Sequence, residues 1–247
     1  MSSGTPVDFL LSSGFLAFGR QAGFLEGARD CGVYPDRLYG TSSGALIGSM
    51  YCAGWSFSKI LEEVTAERPM ARMALSWPPW QGVFHLERLV AHLEATLPRR
   101  FDDLDVPLAV GVQRTDGSFA FIRSGPLAPA VAASCAMPSV FHPVQVEVEG
   151  QLEWCRDGGA ADRLGLECWR AERGGQANAV VHLVERTAGA RNAMDFRGLT
   201  VVRSPRSGAN FWTLGAVEER AQQTRRATLS ALSALSGSNG DQSSRNR

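Results

Sequence analysis

A serine hydroxyl becomes a nucleophile when a turn projects it and a neighbouring group takes its proton. Ser42 lies in Gly40-Thr41-Ser42-Ser43-Gly44, a G-x-S-x-G pattern between a short apolar run and an apolar helical one. That is the setting of a nucleophile elbow, in which a strand enters a tight turn and a helix leaves it. Gly40 and Gly44 would let the backbone turn and let strand and helix pack closely. The helix N-terminus would then aim free amides and its positive dipole end at the reacting centre. On this motif alone, a strand-to-helix turn without chemistry is equally open. A second turn, Ser12-Ser13-Gly14-Phe15-Leu16-Ala17, follows an apolar run and is made mostly of small residues, so its amides could face a developing oxyanion. Asp157-Gly158-Gly159 is a third: a carboxylate followed by two glycines suits a tight loop that brings the acid against another segment. Taken singly, each of these two is better read as an ordinary loop, the aspartate capping its own backbone. Their order along the chain is what strengthens them. His182 follows Asp157, so the order Ser, Asp, His of the α/β-hydrolases is also present. It falls within the apolar run Val180-Val181-His182-Leu183-Val184, where a histidine is more often a satisfied core residue.

These turns need elements to hold them. Val7 to Leu11 reads as a buried strand, Gln21 to Cys31 as a helix stopped by Gly32, Asp36 to Tyr39 as a strand, and Ala45 to Ala53 as a helix stopped by Gly54. Ser56 starts another helix, Arg68 to Phe84 is a loop, and His85 to Leu97 has helical spacing, which makes His85 and His92 surface residues. Pro107 to Gln113 and Ser118 to Ile122 form a hairpin around Asp116-Gly117, a strong turn signal. Leu127 to Cys135 is a short helix. Alternation at Val144, Val146 and Val148, the Glu149-Gly150 turn and Gln151 to Arg156 make a second hairpin, which delivers Asp157 at its end. Ala179 to Val184 and Leu199 to Val202 are strands, and Leu214 to Leu235 is a long amphipathic helix. Strands alternating with helices predict an α/β fold with a mainly parallel sheet covered on both faces.

With these elements placed, the stretch from Leu11 to Gly54 resembles the opening of the patatin-like phospholipases, with their glycine-rich turn, their helix ending near "G-(I/V)-x-P-D" and their G-T-S-x-G-A. Phe101-Asp102-Asp103-Leu104 with Val106-Pro107-Leu108 is similar to the family's lead-in to its next strand. Ala133-Ser134-Cys135-Ala136-Met137-Pro138-Ser139-Val140-Phe141-His142-Pro143-Val144 is similar to its A-S-x-A-x-P-x-x-F-x-P-V segment, which precedes a hairpin ending in D-G-G or D-G-A. The resemblance runs in register from about Val7 to Asp162. It implies a three-layer α/β/α fold with a mainly parallel central sheet and a single domain over 1–235; the composition of 236–247, mostly Ser, Asn, Gly and Arg, predicts a disordered tail. It also implies a serine acyl hydrolase that cleaves carboxylic esters of lipids through an acyl-enzyme. By motif match, Ser42 is the nucleophile, Asp157 its base, and the amides of Gly14 and Phe15 the oxyanion donors, with Gly40, Gly44, Gly158 and Gly159 shaping the turns. No cofactor or metal is implied. The chain departs from the pattern at Ser13 and Ala17, where glycines are usual, and the family's arginine is absent from this turn unless Arg20 replaces it. A positive φ at Ser13 or Ala17 would strain a non-glycine residue. A patatin-fold lipid-binding or scaffold protein with impaired catalysis is therefore one alternative, and a Ser-Asp-His esterase using His182 is another.

Composition narrows the remaining classes. Lysine plus arginine and aspartate plus glutamate both number 25, so the net charge is 0 and no electrostatic footprint for nucleic acid exists. The 5 cysteines are scattered without a C-x-x-C pair, which argues against a disulfide framework or zinc site and for a cytoplasmic, reducing setting. No window approaches the roughly 18 apolar residues of a membrane span, so lipid contact would be peripheral. Trp77-Pro78-Pro79-Trp80 could touch a lipid surface or fold onto the domain. The expected partner is a lipid or other acyl-ester substrate; oligomeric state and head-group preference are open.

Overall fold

A computed structural model of the chain describes residues 6–75, 82–174, 178–185 and 194–241. The Trp77-Pro78-Pro79-Trp80 segment and residues 242–247 lie outside the described residues. In chain order the elements are β1 (Val7–Leu11), α1 (Phe18–Asp30), β2 (Arg37–Thr41), α2 (Ser43–Cys52), α3 (Phe57–Thr65), β3 (Ala74–Leu75), β4 (Phe84–His85), α4 (Glu87–Thr96) and β5 (Leu108–Gln113). There follow β6 (Phe119–Ile122), α5 (Leu127–Ser134), β7 (Val144–Val148), β8 (Gln151–Asp157), α6 (Leu166–Arg173), β9 (Asn178–Val184), β10 (Thr200–Ser204) and α7 (Val217–Asp241).

The main sheet runs β10-β9-β1-β2-β5-β8-β7, with β6 also paired to β5. From β10 to β5 every pairing is parallel; β6, β8 and β7 join antiparallel. One pairing decides the position of the third turn. β2 covers Leu108 to Gly111 of β5, and β8 covers Val112 and Gln113. Because β6 spans Val110 to Gln113, it takes the opposite edge of β5. β8 therefore enters where β2 ends, and Asp157 arrives beside the turn that leaves β2.

Successive side chains of the central strands feed two cores, as the two-residue period of a strand requires. Phe9 and Leu11 point into the larger core with α1, α2 and α5, while Leu10 and Tyr39 point to the other face, against Leu166 and Trp169 of α6. The sheet thus carries helices on both faces, as expected. α6 itself has no counterpart among the expected elements. Only Leu166 and Trp169 of its eight residues are buried, too few to draw an apolar stripe in the sequence. The helix is pinned by Trp169 Nε1, which donates to Asp8 Oδ2 at 2.9 Å, and by Arg173, which pairs with the same carboxylate at 2.7 Å.

Three other expectations change in detail. His85 sits in β4 and not on a helix; β4 pairs antiparallel with β3, and the His85 ring packs on His142 at 4.3 Å. His92 is on α4 as expected, but its Nε2 bonds Glu63 at 2.6 Å. The stretch from Arg68 to Phe84 holds a 3-10 turn at Pro69–Arg72 and the strand β3, not loop alone.

Candidate active site

Ser42 connects β2 to α2 with φ 55 and ψ −120. A positive φ on a non-glycine residue costs on the order of 1–3 kcal/mol and persists only where neighbours enforce it. Here they do. The Ser42 N–H donates to Ser134 Oγ at 2.8 Å, and the Ser134 hydroxyl donates to the Gly111 carbonyl at 2.6 Å. The last residue of α5 thereby ties the elbow to β5. The Ser42 carbonyl accepts from Leu46 N at 3.0 Å, the first bond of α2. The flanking glycines do what their spacing suggested: a Cβ on Gly44 would lie 2.5 Å from the Leu11 carbonyl oxygen, and one on Gly40 would lie 2.6 Å from that of Gly44. Ser134 is one residue that sequence reasoning missed. It sits inside the A-S-x-A-x-P segment, but nothing local in an alanine-rich helix end says that its hydroxyl reaches another turn.

Asp157 ends β8 with its side chain buried. Its amide donates to Ala136 O at 3.0 Å, and its Oδ1 accepts from Gly159 N at 2.8 Å. A Cβ on Gly159 would lie 2.6 Å from Ser13 Oγ and 3.0 Å from Asp157 Oδ1, so this glycine allows the third turn to close on the first. The Cys135 thiol, alongside, is pushed upward by burial and then by the negative charge of Asp157, and stays protonated.

In the first turn Ser12 N donates to His182 O at 3.0 Å, Ser13 N to Arg163 O at 2.8 Å, and Ala17 N to Gly14 O at 3.2 Å. Among the described residues nothing accepts from the amides of Gly14 or Phe15. Neither Ser13 nor Ala17 has a positive φ; Ala17 has φ −84. The strained residue of this turn is Leu16, with φ 48. The two departures from the family pattern therefore carry no backbone penalty. Arg20 does not replace the missing arginine. It is buried against α7, its Nη1 donating to Gln223 Oε1 at 3.0 Å, and it does not reach the cavity described below. Arg163 reaches this turn instead. Its Nη2 donates to Ser13 O at 3.0 Å and also to Val184 O. No signal in the sequence marked it, because it comes from a segment remote from the turn.

His182 is fully buried. One ring nitrogen meets Gln21 Oε1 at 2.6 Å, the other Ser204 Oγ at 2.9 Å, and the ring stacks on Phe24 at 4.9 Å. Burial, followed by the nearby charge of Arg20, lowers its pKa to about 3. With both nitrogens engaged away from Ser42 and Asp157, the geometry leaves it no place in a triad.

The three turns meet in one cavity of about 630 Å³. Ser13, Gly14, Phe15, Ser42, Asp157 and Gly159 are among the residues that line it. The rest is largely apolar, with Leu46 and Met50 from α2, Met73, Leu89 from α4, Phe141 and Phe211. That size and lining fit a ligand with a long apolar part and one polar reacting centre. Among the described residues no group of three or more histidine, cysteine or acidic side chains converges as metal ligands would.

Comparison with known proteins identifies the family and the fold. The patatin-like phospholipase family matches residues 9–167. Uncharacterized NTE family proteins of Mycobacterium tuberculosis and Mycobacterium bovis are 29% identical over 167 residues, covering 66% of this chain and 45% of theirs. The chain thus spans less than half the length of these relatives. The crystal structure of VipD from Legionella pneumophila superposes with a TM-score of 0.59 at 12% identity, over 94% of this chain and 68% of that one, a likeness of fold.

Proposed function

From the premise that this chain belongs to the patatin-like phospholipase family, we propose that it hydrolyses lipid acyl esters with Ser42 as nucleophile and Asp157 as base. The observation that carries this reading is the strained Ser42 turn, which lines a largely apolar cavity with Asp157 and with Gly14 and Phe15, whose amides have no acceptor among the described residues. Ser42 Oγ attacks the ester carbonyl carbon while its proton passes to Asp157. The carbonyl oxygen becomes an oxyanion and rests on the Gly14 and Phe15 amides, each such donor being worth on the order of 10²–10³ in rate. The tetrahedral centre collapses, the C–O bond to the alcohol breaks, and Asp157 returns the proton to the leaving oxygen. Water then enters, gives its proton to Asp157, and attacks the acyl-enzyme; on the second collapse the acyl C–Oγ bond breaks, Asp157 returns the proton to Ser42 Oγ, and the fatty acid leaves. The acyl chain lies along the apolar side, past Leu46 towards Met50. Those two residues follow Ser42 at four-residue steps on one face of α2, so the path runs for about 12 Å at about 1.5 Å per residue.

The test is turnover of p-nitrophenyl esters from short to long acyl chains, and of phospholipid vesicles. Wild type is compared with Ser42→Ala and Asp157→Asn, each checked for folding by circular dichroism. Activity in wild type that is lost in both variants supports the dyad. A wild type inert to every ester, yet able to bind fatty acid, would point to a lipid-binding protein instead.

A further inference from the structure

A buried polar chain behind the site has no part in the chemistry above. Gln21 on α1 is fully buried. Its Nε2 donates to the Ser12 carbonyl at 2.7 Å and to Ser43 Oγ at 3.4 Å. Ser12 opens the first turn, and Ser43 directly follows the proposed nucleophile. The Ser12 carbonyl can only accept, so the amide nitrogen of Gln21 must face it and Oε1 must face His182. His182 Nδ1 is then the protonated nitrogen, donating to Oε1 at 2.6 Å, and Nε2 accepts from the Ser204 hydroxyl at 2.9 Å. Ser12, Ser43, His182 and Ser204 are all buried as well. Every polar atom of the Gln21 side chain has a partner, and the chain runs through the carboxyl ends of β1, β2, β9 and β10.

The position of Gln21 matters because the sheet stops tying these turns together. The last paired residues of β1 and β2 are Leu11 and Gly40. Beyond them Ser12 N turns to β9, Ser13 N to Arg163 and Ser42 N to Ser134. Among the described residues no backbone hydrogen bond joins 12–17 to 42–46. The Gln21 amide makes that link. A leucine would fill similar space without the cost of burying an amide, so the bonds and not the volume account for the residue.

We propose that Gln21 is a positioning residue that holds the Gly14–Phe15 amides and the Ser42 turn at a fixed separation, with His182 orienting its amide. This rests on the hydrolase reading for its kinetic consequence, though not for its structural one. Misplacement of a reacting group by about 1 Å can cost on the order of 10²-fold in rate. Gln21→Met keeps the length of the side chain and removes all its hydrogen bonds. Gln21→Glu keeps the shape but cannot donate to Ser12 when ionised.

The experiment measures three quantities in wild type and both variants. They are kcat and KM on a p-nitrophenyl ester, the rate at which a fluorophosphonate labels Ser42, and hydrogen exchange in peptides covering 12–18 and 42–48. Trp169→Phe, on the opposite face of the sheet, is the control for general destabilisation. We expect kcat and labelling to fall together by about 10- to 100-fold in Gln21→Met, with KM within about twofold. Exchange should quicken in both peptides at once, and Trp169→Phe should keep wild-type kcat. Wild-type kcat and labelling in Gln21→Met, or an equal loss in Trp169→Phe at the same Tm, would overturn the proposal. If wild type neither turns over esters nor takes the label, the hydrolase reading fails. The exchange arm then decides the brace by itself, and unchanged exchange at either turn sinks it.

Discussion

The Ser42 turn and the His182 cluster are two polar constellations near the carboxyl ends of parallel strands, and they are built in opposite ways. At Ser42 the backbone is held at φ 55, the Gly14 and Phe15 amides have no acceptor among the described residues, and the residue lines a largely apolar cavity. At His182 both ring nitrogens are bonded, the ring stacks on Phe24, and no solvent reaches it. Both would pass as catalytic by residue type and order. The difference teaches that chemistry belongs where strain is retained and donors are left open. A buried network with every bond satisfied serves position and rigidity.

The comparison breaks hardest at the two residues themselves. Ser42→Ala should remove ester turnover by about 10⁴-fold or more, whereas His182→Gln in a folded variant should stay within about tenfold of wild type. Steady-state kinetics on a single p-nitrophenyl ester reads both, and a reversal of that order would restore the triad. Gly159→Ala comes next. Its Cβ would stand 2.6 Å from Ser13 Oγ, so the Asp157 turn must move off the first turn. We expect kcat to fall by about 10- to 100-fold, with the melting temperature showing a smaller change. Ser134→Ala unties the elbow from β5 and leaves the Gly111 carbonyl without that donor. A loss of about 1–3 kcal/mol in urea unfolding is expected, together with a drop of about tenfold in kcat.

The smallest effect on turnover is expected where the other cluster is probed by pH. His182 is held near a pKa of about 3 in the folded chain, against an ordinary value of 6.5. Between those values the unfolded chain takes up a proton that the folded chain refuses. Its contribution to stability is therefore complete above about pH 6.5 and falls on acidification towards about pH 3, at about 1.4 kcal/mol per pH unit. Urea midpoints for wild type and His182→Asn across this range isolate the effect. A shallower slope in the variant, with little change in the pH profile of turnover, keeps the two clusters distinct.

Much of the architecture around the Ser42 turn was legible because its signals are local. The bounds of β1 coincide with the apolar run Val7 to Leu11, and β7 and β8 follow the alternation that ends at Asp157. Glycines mark the turns because only they tolerate backbone at the distances seen at Gly44 and Gly159. What stayed hidden depends on distant partners. α6 buries two side chains and has no stripe to read. Arg163 and Ser134 act on turns about 150 and 92 residues away in sequence. The apolar side of the cavity is collected from separate helices and loops.

By itself, then, the sequence determined the class of fold, the three turns and their order, and the residue types Ser42 and Asp157. These rest on turn chemistry and side-chain period, which a few neighbouring residues encode. Only the tertiary structure decided that β8 follows β2 along one edge of β5, that strain falls on Leu16 and not on Ser13 or Ala17, and that His182 is locked in the core. Strand pairing and burial are long-range choices, set by which surfaces exclude water together, and no short window of sequence contains them.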